Sequence, residues 1–296
     1  MYVITGATGN TGKHVAENLL AAGKNVKVIG RSADRLSALI AKGAQAAVGD
    51  LADAHFLTEA FHGAEAVYLM IPPKWDVTDW RAYQRTVIDA YVQALRAGGV
   101  KKAVVLSSQG AHLLDGAGPV SGLAELEQAL KGLPGLDTRS LRPGFFMENF
   151  YGNVDLIKQA GIFGYTLRPD LKLPIVHTRD IAEVATRRLL SLDFSGHSYE
   201  FIAGSADRTM AEAAVVLGKA IGKPELTYVP FEQDAARNGM IQAGFAETIA
   251  DGYLELFDSL NRGGYQDGYV RTPDVTTPTS LEWFAENEFK HAFEAN

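Results

Sequence analysis

Glycines at three-residue intervals follow the first apolar run of the chain. The segment Thr5-Gly6-Ala7-Thr8-Gly9-Asn10-Thr11-Gly12 comes directly after that run and opens a helical pattern. Glycines in this position allow a tight turn and a close approach of the backbone to a pyrophosphate, and the helix N-terminus offers it free N–H groups. The pattern predicts a dinucleotide-phosphate site formed by Gly6, Thr8, Gly9, Asn10, Thr11 and Gly12. A tight turn that binds nothing is the alternative.

The end of the second predicted strand bears on which dinucleotide is bound. It reads Ile29-Gly30-Arg31-Ser32 and contains no acidic residue. Sites for NAD typically place Asp or Glu here, where the carboxylate bonds the adenosine ribose hydroxyls. The guanidinium of Arg31 instead matches a 2′-phosphate in geometry and charge, and Arg35 follows one helical turn later. We therefore expect NADP(H), with a solvated arginine at a strand end as the alternative.

Two common catalytic sets are missing from the sequence. The chain has no cysteine, which excludes thiolate catalysis and disulfides, and no tyrosine is followed four residues later by a lysine. The histidines form no metal-ligating pair, so no metal site is expected. His112 and His177 remain as candidates for proton transfer because imidazole titrates near neutral pH. For each of them, however, an exposed loop position is the stronger expectation, and the catalytic residues stay unknown.

Short apolar runs alternate with amphipathic segments through the first half of the chain. The runs interpreted as strands are 1–5, 25–29, 44–48, 64–71 and 103–106, followed by 137–141 and 198–202. Several are nearly continuous in apolar residues, which is typical of a parallel sheet covered on both faces. Between the fourth and fifth runs, Tyr83 to Leu95 shows helical spacing that Gly98-Gly99 ends. The alternation predicts an α/β fold with a Rossmann-type doubly wound parallel sheet.

The pattern loosens beyond about residue 150. A helix is expected to begin near Asp180, which together with Glu183 resembles a capping box, and a short strand is expected at 226–229. Glycine- and proline-rich stretches at 263–264 and 272–279 predict surface loops. We predict a dinucleotide-binding domain from residues 1–154 and 176–203. Residues 155–175 and 204–296 are predicted to form a smaller α+β domain on the substrate side.

The predicted strand ends point to a common crevice. Ligands of an open α/β sheet bind beyond the carboxyl ends of its strands. The residues at those ends include Asp50, Ile71, Pro72, Ser107, Ser108, Gln109, Pro143, Gly144, Phe145 and Phe146. Phe145 and Phe146 could pack against a planar ring. The residues predicted to face a substrate are Trp75, Phe146 and Tyr151. Loop or core packing is an equally good explanation for each residue taken alone.

The composition is that of an ordinary globular protein. Hydrophobic residues make up 47% and charged residues 21% of 296, and 28 Lys+Arg against 35 Asp+Glu give a net charge of −7. The acidic balance and the lack of a dense basic run argue against nucleic acid as a partner. No secretory signal is expected, and no apolar run approaches the roughly 20 residues that span a bilayer. We expect a soluble cytoplasmic protein without a membrane partner, and leave a homodimer open.

Several segments together resemble the NmrA-like group of atypical short-chain dehydrogenases/reductases. They are the glycine segment 5–12, Gly30-Arg31, Leu141-Arg-Pro-Gly-Phe-Phe-Met-Glu-Asn149, His177-Thr-Arg-Asp-Ile-Ala-Glu183 and the closing Thr279-Ser-Leu-Glu-Trp-Phe284. The glycine segment is shared with many reductases, whereas its combination with 141–149 is much more specific. The resemblance implies a Rossmann domain with a smaller C-terminal domain and a preference for NADP(H).

The resemblance also implies roles for individual residues. It implies the pyrophosphate contact at Gly6, Thr8, Gly9, Asn10 and Thr11, the 2′-phosphate contact at Arg31, the adenine contact at Asp50, the ribose contact at Ile71 and Pro72, and the nicotinamide contact at Pro143 to Phe146. Glu127 matches a glutamate of the helix after the fifth strand. Counted back from it, Val120 and Ala124 stand where a Tyr or His and a Lys would be expected, which puts ordinary carbonyl reduction in doubt.

Three functions are therefore compared. The first is an NADPH-dependent oxidoreductase that transfers hydride to a quinone or another planar, electron-poor acceptor, since such an acceptor depends less on a proton-donor pair. The second is a non-catalytic NADP(H) sensor that acts through a protein partner. An isomerase or epimerase with tightly held cofactor ranks last, because such enzymes usually retain the Tyr/Lys pair.

Overall fold

The computed structural model describes residues 1–295 of the chain. Its strands are β1 (Tyr2–Ile4), β2 (Val26–Gly30), β3 (Gln45–Val48), β4 (Ala66–Leu69), β5 (Lys102–Leu106), β6 (Asp137–Pro143), β7 (Phe145–Phe146), β8 (Ile162–Tyr165), β9 (Leu173–Val176), β10 (His197–Ile202), β11 (Asp207–Arg208) and β12 (Thr227–Pro230).

The helices fall between these strands and after the last of them. They are α1 (Gly12–Ala21), α2 (Ala33–Ala41), α3 (Ala54–Phe61), α4 (Trp80–Gly98), α5 (Pro119–Lys131), α6 (Val154–Ala160), α7 (Thr178–Ser191), α8 (Met210–Ala220), α9 (Gln233–Gln242), α10 (Glu247–Arg262), α11 (Leu281–Phe284) and α12 (Lys290–Ala295). Residues 285–289 form a π-helical turn that joins the last two helices.

A seven-stranded sheet forms the centre of the molecule, in the order β10-β6-β5-β4-β1-β2-β3. Every pair in it is parallel. The strand order reverses between β1 and β4, which is the topological switch point where ligands of such sheets bind. The predicted Rossmann-type doubly wound sheet is confirmed.

Helices cover both faces of this sheet. One buried cluster joins β1 and β2 to α1 and α7 through residues such as Leu19 and Ile181. A second joins the other face of the sheet to α3, α4 and α5 through residues such as Phe61, Tyr91 and Leu126. Burial on both faces explains why β1 and β4 are apolar at every position.

The C-terminal elements build a third buried cluster, which is rich in aromatic residues. It takes Phe150 and Phe163 from the region around β8, and Tyr265, Phe284 and Phe289 from the end of the chain. Two small sheets belong to this region, with the orders β11-β9-β7 and β12-β8. Strands β7, β8, β9 and β11 are absent from the sequence-based prediction because these runs of two to four residues lie outside the regular alternation with helices that marks the equally short β1, β3 and β4.

The structure corrects two local predictions. The fourth strand is shorter than 64–71, so Ile71 and Pro72 lie in the loop after β4. The capping box at Asp180 and Glu183 is wrong, because α7 begins at Thr178 and the N-cap is His177. The Asp180 carboxylate instead accepts hydrogen bonds from the backbone N–H and the hydroxyl of Thr279, 99 residues away. The Asp180 side chain therefore makes a long-range contact with Thr279, although its spacing in the sequence predicts a helix cap.

No helix within residues 1–295 is long and apolar enough to cross a membrane. The domain boundaries drawn from the sequence remain a prediction.

Candidate active site

The glycine segment forms a compact loop between β1 and α1. Gly6 has φ +61°, a left-handed conformation that favours glycine, and the backbone N–H of Gly9 donates to the Gly6 carbonyl at 2.9 Å. A Cβ on Gly12 would lie 2.4 Å from the Gly6 oxygen and 2.9 Å from the Thr5 oxygen. Side chains cannot fill this cradle without moving the backbone, so the loop suits a ligand that needs close main-chain approach.

The first turn of α1 favours an anion. It contains no acidic residue, and no side chain caps its free N–H groups. Gly9 and Asn10 are exposed and Thr8 is half-buried. Thr11 is buried and accepts a hydrogen bond from the Tyr68 hydroxyl at 3.1 Å, which fixes the end of the loop. The cradle and the helix terminus together fit the pyrophosphate of a dinucleotide.

The ends of β2 and β3 place charged groups around one tyrosine. Arg31 is exposed, and within residues 1–295 it has no carboxylate within 4.0 Å. Burial first, and then the negative charge of Asp50, raise the pKa of Tyr83 to about 12, while the positive charge of Arg31 opposes this rise. The Lys74 ammonium lies 5.3 Å from the centre of the same ring.

The end of β4 lies beside the glycine loop. The Thr5 hydroxyl accepts from the backbone N–H of Met70 at 3.1 Å, and the Tyr91 hydroxyl donates to the Met70 carbonyl at 2.7 Å. These bonds fix the point where the chain leaves the sheet. Ile71 and Pro72 follow it, both half-buried.

A buried ion pair stands behind the ends of β5 and β6. Glu127, on α5, accepts from Arg142 Nε at 3.0 Å and from Arg142 Nη2 at 2.7 Å. The Ser107 hydroxyl donates to the same carboxylate at 2.5 Å, so this side chain is already engaged within the protein. Arg142 also donates to the Ala111 carbonyl at 3.2 Å, which ties the loop after β5 to β6.

The segment 143–146 turns sharply into the third cluster. The Pro143 carbonyl accepts from the Gln109 N–H at 3.0 Å, and a Cβ on Gly144 would lie 2.2 Å from the Pro174 oxygen. Phe145 and Phe146 are both half-buried. The Phe145 ring packs on Phe150 and Tyr165, whereas Phe146 packs against the cluster shared by the sheet and α7.

The two remaining substrate-side residues contact the C-terminal part of the chain. Trp75 is 42% exposed, and its ring lies 5.2 Å from Phe245 and 5.7 Å from Tyr253, between ring centres. The Tyr151 hydroxyl donates to Glu288 at 3.2 Å, and its ring stacks on Phe289. Neither contact tests a role in substrate binding, which stays a prediction for both.

The two histidines differ. His112 is exposed, as expected, and its Nε2 lies 3.0 Å from the Gly264 carbonyl. His177 is only 3% exposed, so the exposed loop position expected for it is wrong. Its Nδ1 accepts from the Arg179 N–H at 3.0 Å, and its Nε2 therefore carries the proton and donates to Glu288 at 3.0 Å. This histidine caps α7 and holds the π-helical turn.

Sequence reasoning missed one residue at this edge of the sheet. The Tyr265 hydroxyl lies 2.7 Å from the Ser108 hydroxyl, and the tyrosine is 8% exposed. Tyr265 follows the glycine pair Gly263-Gly264, which predicts only a surface loop. No local signal identifies it, because the two residues are 157 positions apart.

The strand order, the glycine cradle and the free helix terminus define a dinucleotide-binding Rossmann protein. A family model described as NAD(P)H-binding matches residues 6–163. The chain belongs to this family, and within it to the NmrA-like atypical short-chain dehydrogenases/reductases. This membership places it among the NAD(P)H-dependent oxidoreductases.

Several relatives match along nearly the whole chain. An NAD(P)H azoreductase of Xenophilus azovorans is 30% identical over 292 residues, covering 99% of this chain and 98% of the relative. Quinone oxidoreductase 2 of Escherichia coli is 27% identical over 303 residues, covering 100% of both. The solved structure of an NADPH-dependent quinone oxidoreductase of Escherichia coli, complexed with NADPH, superposes with a TM-score of 0.78 at 26% identity, covering 98% of this chain and 100% of that one.

Proposed function

We propose that this protein is an NADPH-dependent reductase of quinones or of similar planar, electron-poor acceptors. The observation that carries the proposal is the continuous edge formed by the glycine loop and the ends of β4, β5 and β6, with aromatic side chains at its far side. Full-length relatives named as quinone and azo reductases support this class of acceptor.

The preference for NADPH rests on the end of β2. Arg31 has no protein carboxylate within 4.0 Å in the described residues, so its charge is free to meet a phosphate. A 2′-phosphate would accept two parallel hydrogen bonds from the guanidinium, a bidentate contact that a ribose hydroxyl cannot make. Asp50 would contact the adenine, Ile71 and Pro72 the ribose, and residues 143–146 the nicotinamide.

The chemistry divides between the cofactor and the protein. Bound NADPH supplies the hydride. Phe145 and Phe146 border the place where a planar acceptor would lie, and Trp75 and Tyr151 extend that border toward the C-terminal elements. Their contribution is to orient the acceptor and to exclude water, which are the main effects a protein adds to hydride transfer.

The division into two domains is part of the proposal. Two of the buried clusters are built wholly from residues within 1–154 and 176–203. The third takes most of its members from 155–175 and 204–296, and packs against Ala111, Val120 and Phe150 of the first part. We therefore assign the cofactor to the first unit and the outer wall of the acceptor site to the second.

The test is oxidation of NADPH and of NADH by the purified protein, against a panel of quinones, azo compounds and aldehydes. Turnover of a quinone with clear preference for NADPH is the expected result. Tight NADPH binding without turnover of any acceptor would contradict the proposal, and would favour the sensor that acts through a protein partner.

A further inference from the structure

Ser108 and Tyr265 form a hydroxyl pair at the edge of the sheet where the acceptor is proposed to bind. Their oxygens are 2.7 Å apart, and either can donate. Ser108 stands two residues beyond the end of β5 and is half-buried, while Tyr265 is 8% exposed. The serine is therefore partly accessible at the carboxyl end of β5, whereas the phenol that it contacts is shielded from water.

The loop after β5 is shaped to receive this phenol. Gly110 has φ +81°, and a Cβ there would lie 2.5 Å from the Tyr265 ring. The His112 ring nitrogen lies 3.0 Å from the carbonyl of Gly264, the residue before the tyrosine. A third close approach holds the preceding helix, since a Cβ on Gly118 would lie 2.0 Å from the Gly252 oxygen. The first of these contacts is with the Tyr265 ring itself, and the other two hold the segments that precede it in the chain.

The same loop contains a second polar side chain, that of Gln109. The backbone N–H of Ser107 donates to the Leu141 carbonyl at 2.8 Å and that of Gln109 to the Pro143 carbonyl at 3.0 Å. The side chain of Ser108 lies between these two anchors. Gln109 is 1% exposed, and within the described residues its amide nitrogen has no hydrogen-bond partner. A buried donor without a partner is costly, and an acceptor atom of a bound ligand would satisfy it.

We propose that Ser108 hydrogen-bonds a carbonyl oxygen of the acceptor and that Tyr265 acts through it as the positioning residue of a proton relay. This deepens the proposed function and rests on it. The Ser108–Tyr265 pair would replace the proton donor that α5 lacks, since Val120 and Ala124 on that helix are buried apolar residues. Val120 and Tyr265 belong to the same buried cluster, so a phenol that α5 lacks is supplied to this region by the end of the chain.

Reduction of a quinone requires one hydride and one proton. The acceptor takes a hydride, with its two electrons, from bound NADPH and becomes a hydroquinone monoanion, while NADPH is oxidised to NADP+. The Ser108 O–H bond breaks as its proton passes to the acceptor oxyanion, and Tyr265 returns a proton to the Ser108 oxygen. After the product leaves, water that enters the crevice gives a proton to the Ser108 oxygen as the Ser108 proton passes back to the Tyr265 phenolate, so that both hydroxyls are restored. Burial raises the pKa of Tyr265 to about 12, so the phenol holds its proton through the neutral range and starts each cycle as a donor.

The experiment compares Tyr265→Phe and Ser108→Ala with Tyr269→Phe, whose hydroxyl bonds Asp207 away from this pair. For each full-length protein we would measure kcat and KM for a quinone between pH 6 and 9, the solvent deuterium isotope effect, the Kd for NADPH and the thermal midpoint. Because Ser108→Ala leaves the tyrosine packing intact, it serves if Tyr265→Phe fails to fold.

We expect kcat to fall about 10²-fold in both variants, with the Kd for NADPH within about twofold of wild type. The double variant should lose no more than either single variant, since the two hydroxyls act as one unit. The kcat of Tyr265→Phe should decline as pH rises, because solvent then supplies the proton, while Ser108→Thr should restore most of the rate.

Two outcomes overturn the relay while leaving the proposed function in place. One is an unchanged kcat in both variants with an active wild type. The other is a loss that follows the thermal midpoint, with the pH profile and solvent isotope effect of wild type. An inactive wild type is a separate result, because it overturns the proposed function and the relay with it.

Discussion

The two ends of the crevice are built in opposite ways. At the cofactor end, the cradle is a continuous run of seven residues, Gly6 to Gly12, whose working groups are backbone N–H groups and the space left by absent side chains. At the acceptor end, Ser108 meets a tyrosine 157 residues away, and a buried ion pair stands behind it. The first end needs only local geometry, whereas the second exists only when the whole chain has folded.

This difference predicts where each end is vulnerable. A backbone cradle is broken by adding atoms, and the damage should be confined to the ligand. A side-chain assembly is broken by removing a partner, and the damage spreads to every group that shared it. Variants at the two ends should therefore separate binding from stability.

The largest effect is expected from Glu127→Gln. The substitution leaves the Arg142 guanidinium buried without a charged partner and replaces one of the two oxygens that accept from it with an NH2 group, which can only donate. Breaking a buried pair in this way typically costs about 3–5 kcal/mol of unfolding free energy. Urea unfolding would measure it, read from the shift in midpoint at constant slope.

The matched control for that variant is Asp170→Asn. Asp170 pairs with Arg168 on the surface, where both side chains are more than half exposed. Exposed pairs contribute about 0–1 kcal/mol. Equal losses in the two variants would show that the Glu127 pair is not the support of the acceptor end.

Gly12→Ala should break the cofactor end without unfolding the protein. The new Cβ would meet backbone oxygens of Thr5 and Gly6, which cannot swing away as a side chain can. We expect the Kd for NADPH to rise at least about 100-fold, or about 2.7 kcal/mol, as followed by fluorescence titration. Gly239→Ala is the control, since a Cβ there meets nothing within 4 Å. Normal NADPH binding by Gly12→Ala would exclude the glycine loop as the phosphate cradle.

The same contrast explains what the sequence could predict. The strands of the central sheet are apolar enough to be recognised, and the glycine cradle is formed by neighbours in sequence. Both could therefore be predicted without a structure. Position 31 could likewise be placed at a strand end, because β2 ends at Gly30.

Much less of the acceptor end could be predicted from the sequence. The burial of His177 depends on Glu288 and Trp283, which lie more than 100 residues further along the chain. The carboxylate of Asp180 is taken by Thr279 instead of a local cap. Tyr265 carries no motif at all. Contacts of this separation are decided by the packing of the third cluster, which no periodicity in a single sequence encodes.

Arg31→Glu tests the predicted 2′-phosphate contact at the cofactor end. Reversing the charge should weaken NADPH about 30-fold, or about 2 kcal/mol, through the lost phosphate contact, and change the Kd for NADH little. Lys24→Glu is the control, because Lys24 is also exposed but precedes β2 at the opposite edge of the sheet. Equal losses of affinity for NADPH and for NADH would show that Arg31 does not contact the 2′-phosphate.

The smallest effect concerns the pH dependence of stability at the acceptor end. Burial raises the pKa of Tyr265 from 10.0 to about 12, so its contribution to stability is full below pH 10 and is lost as the pH rises through 12. Between pH 9 and pH 11, wild type should lose about 1 kcal/mol more unfolding free energy than Tyr265→Phe, which has no proton to release. Urea unfolding at each pH would show it, and the two curves should run parallel from pH 7 to 9. Parallel curves up to pH 11 would mean that the phenol already meets water, and a solvent-exposed phenol could not serve as a protected donor behind Ser108.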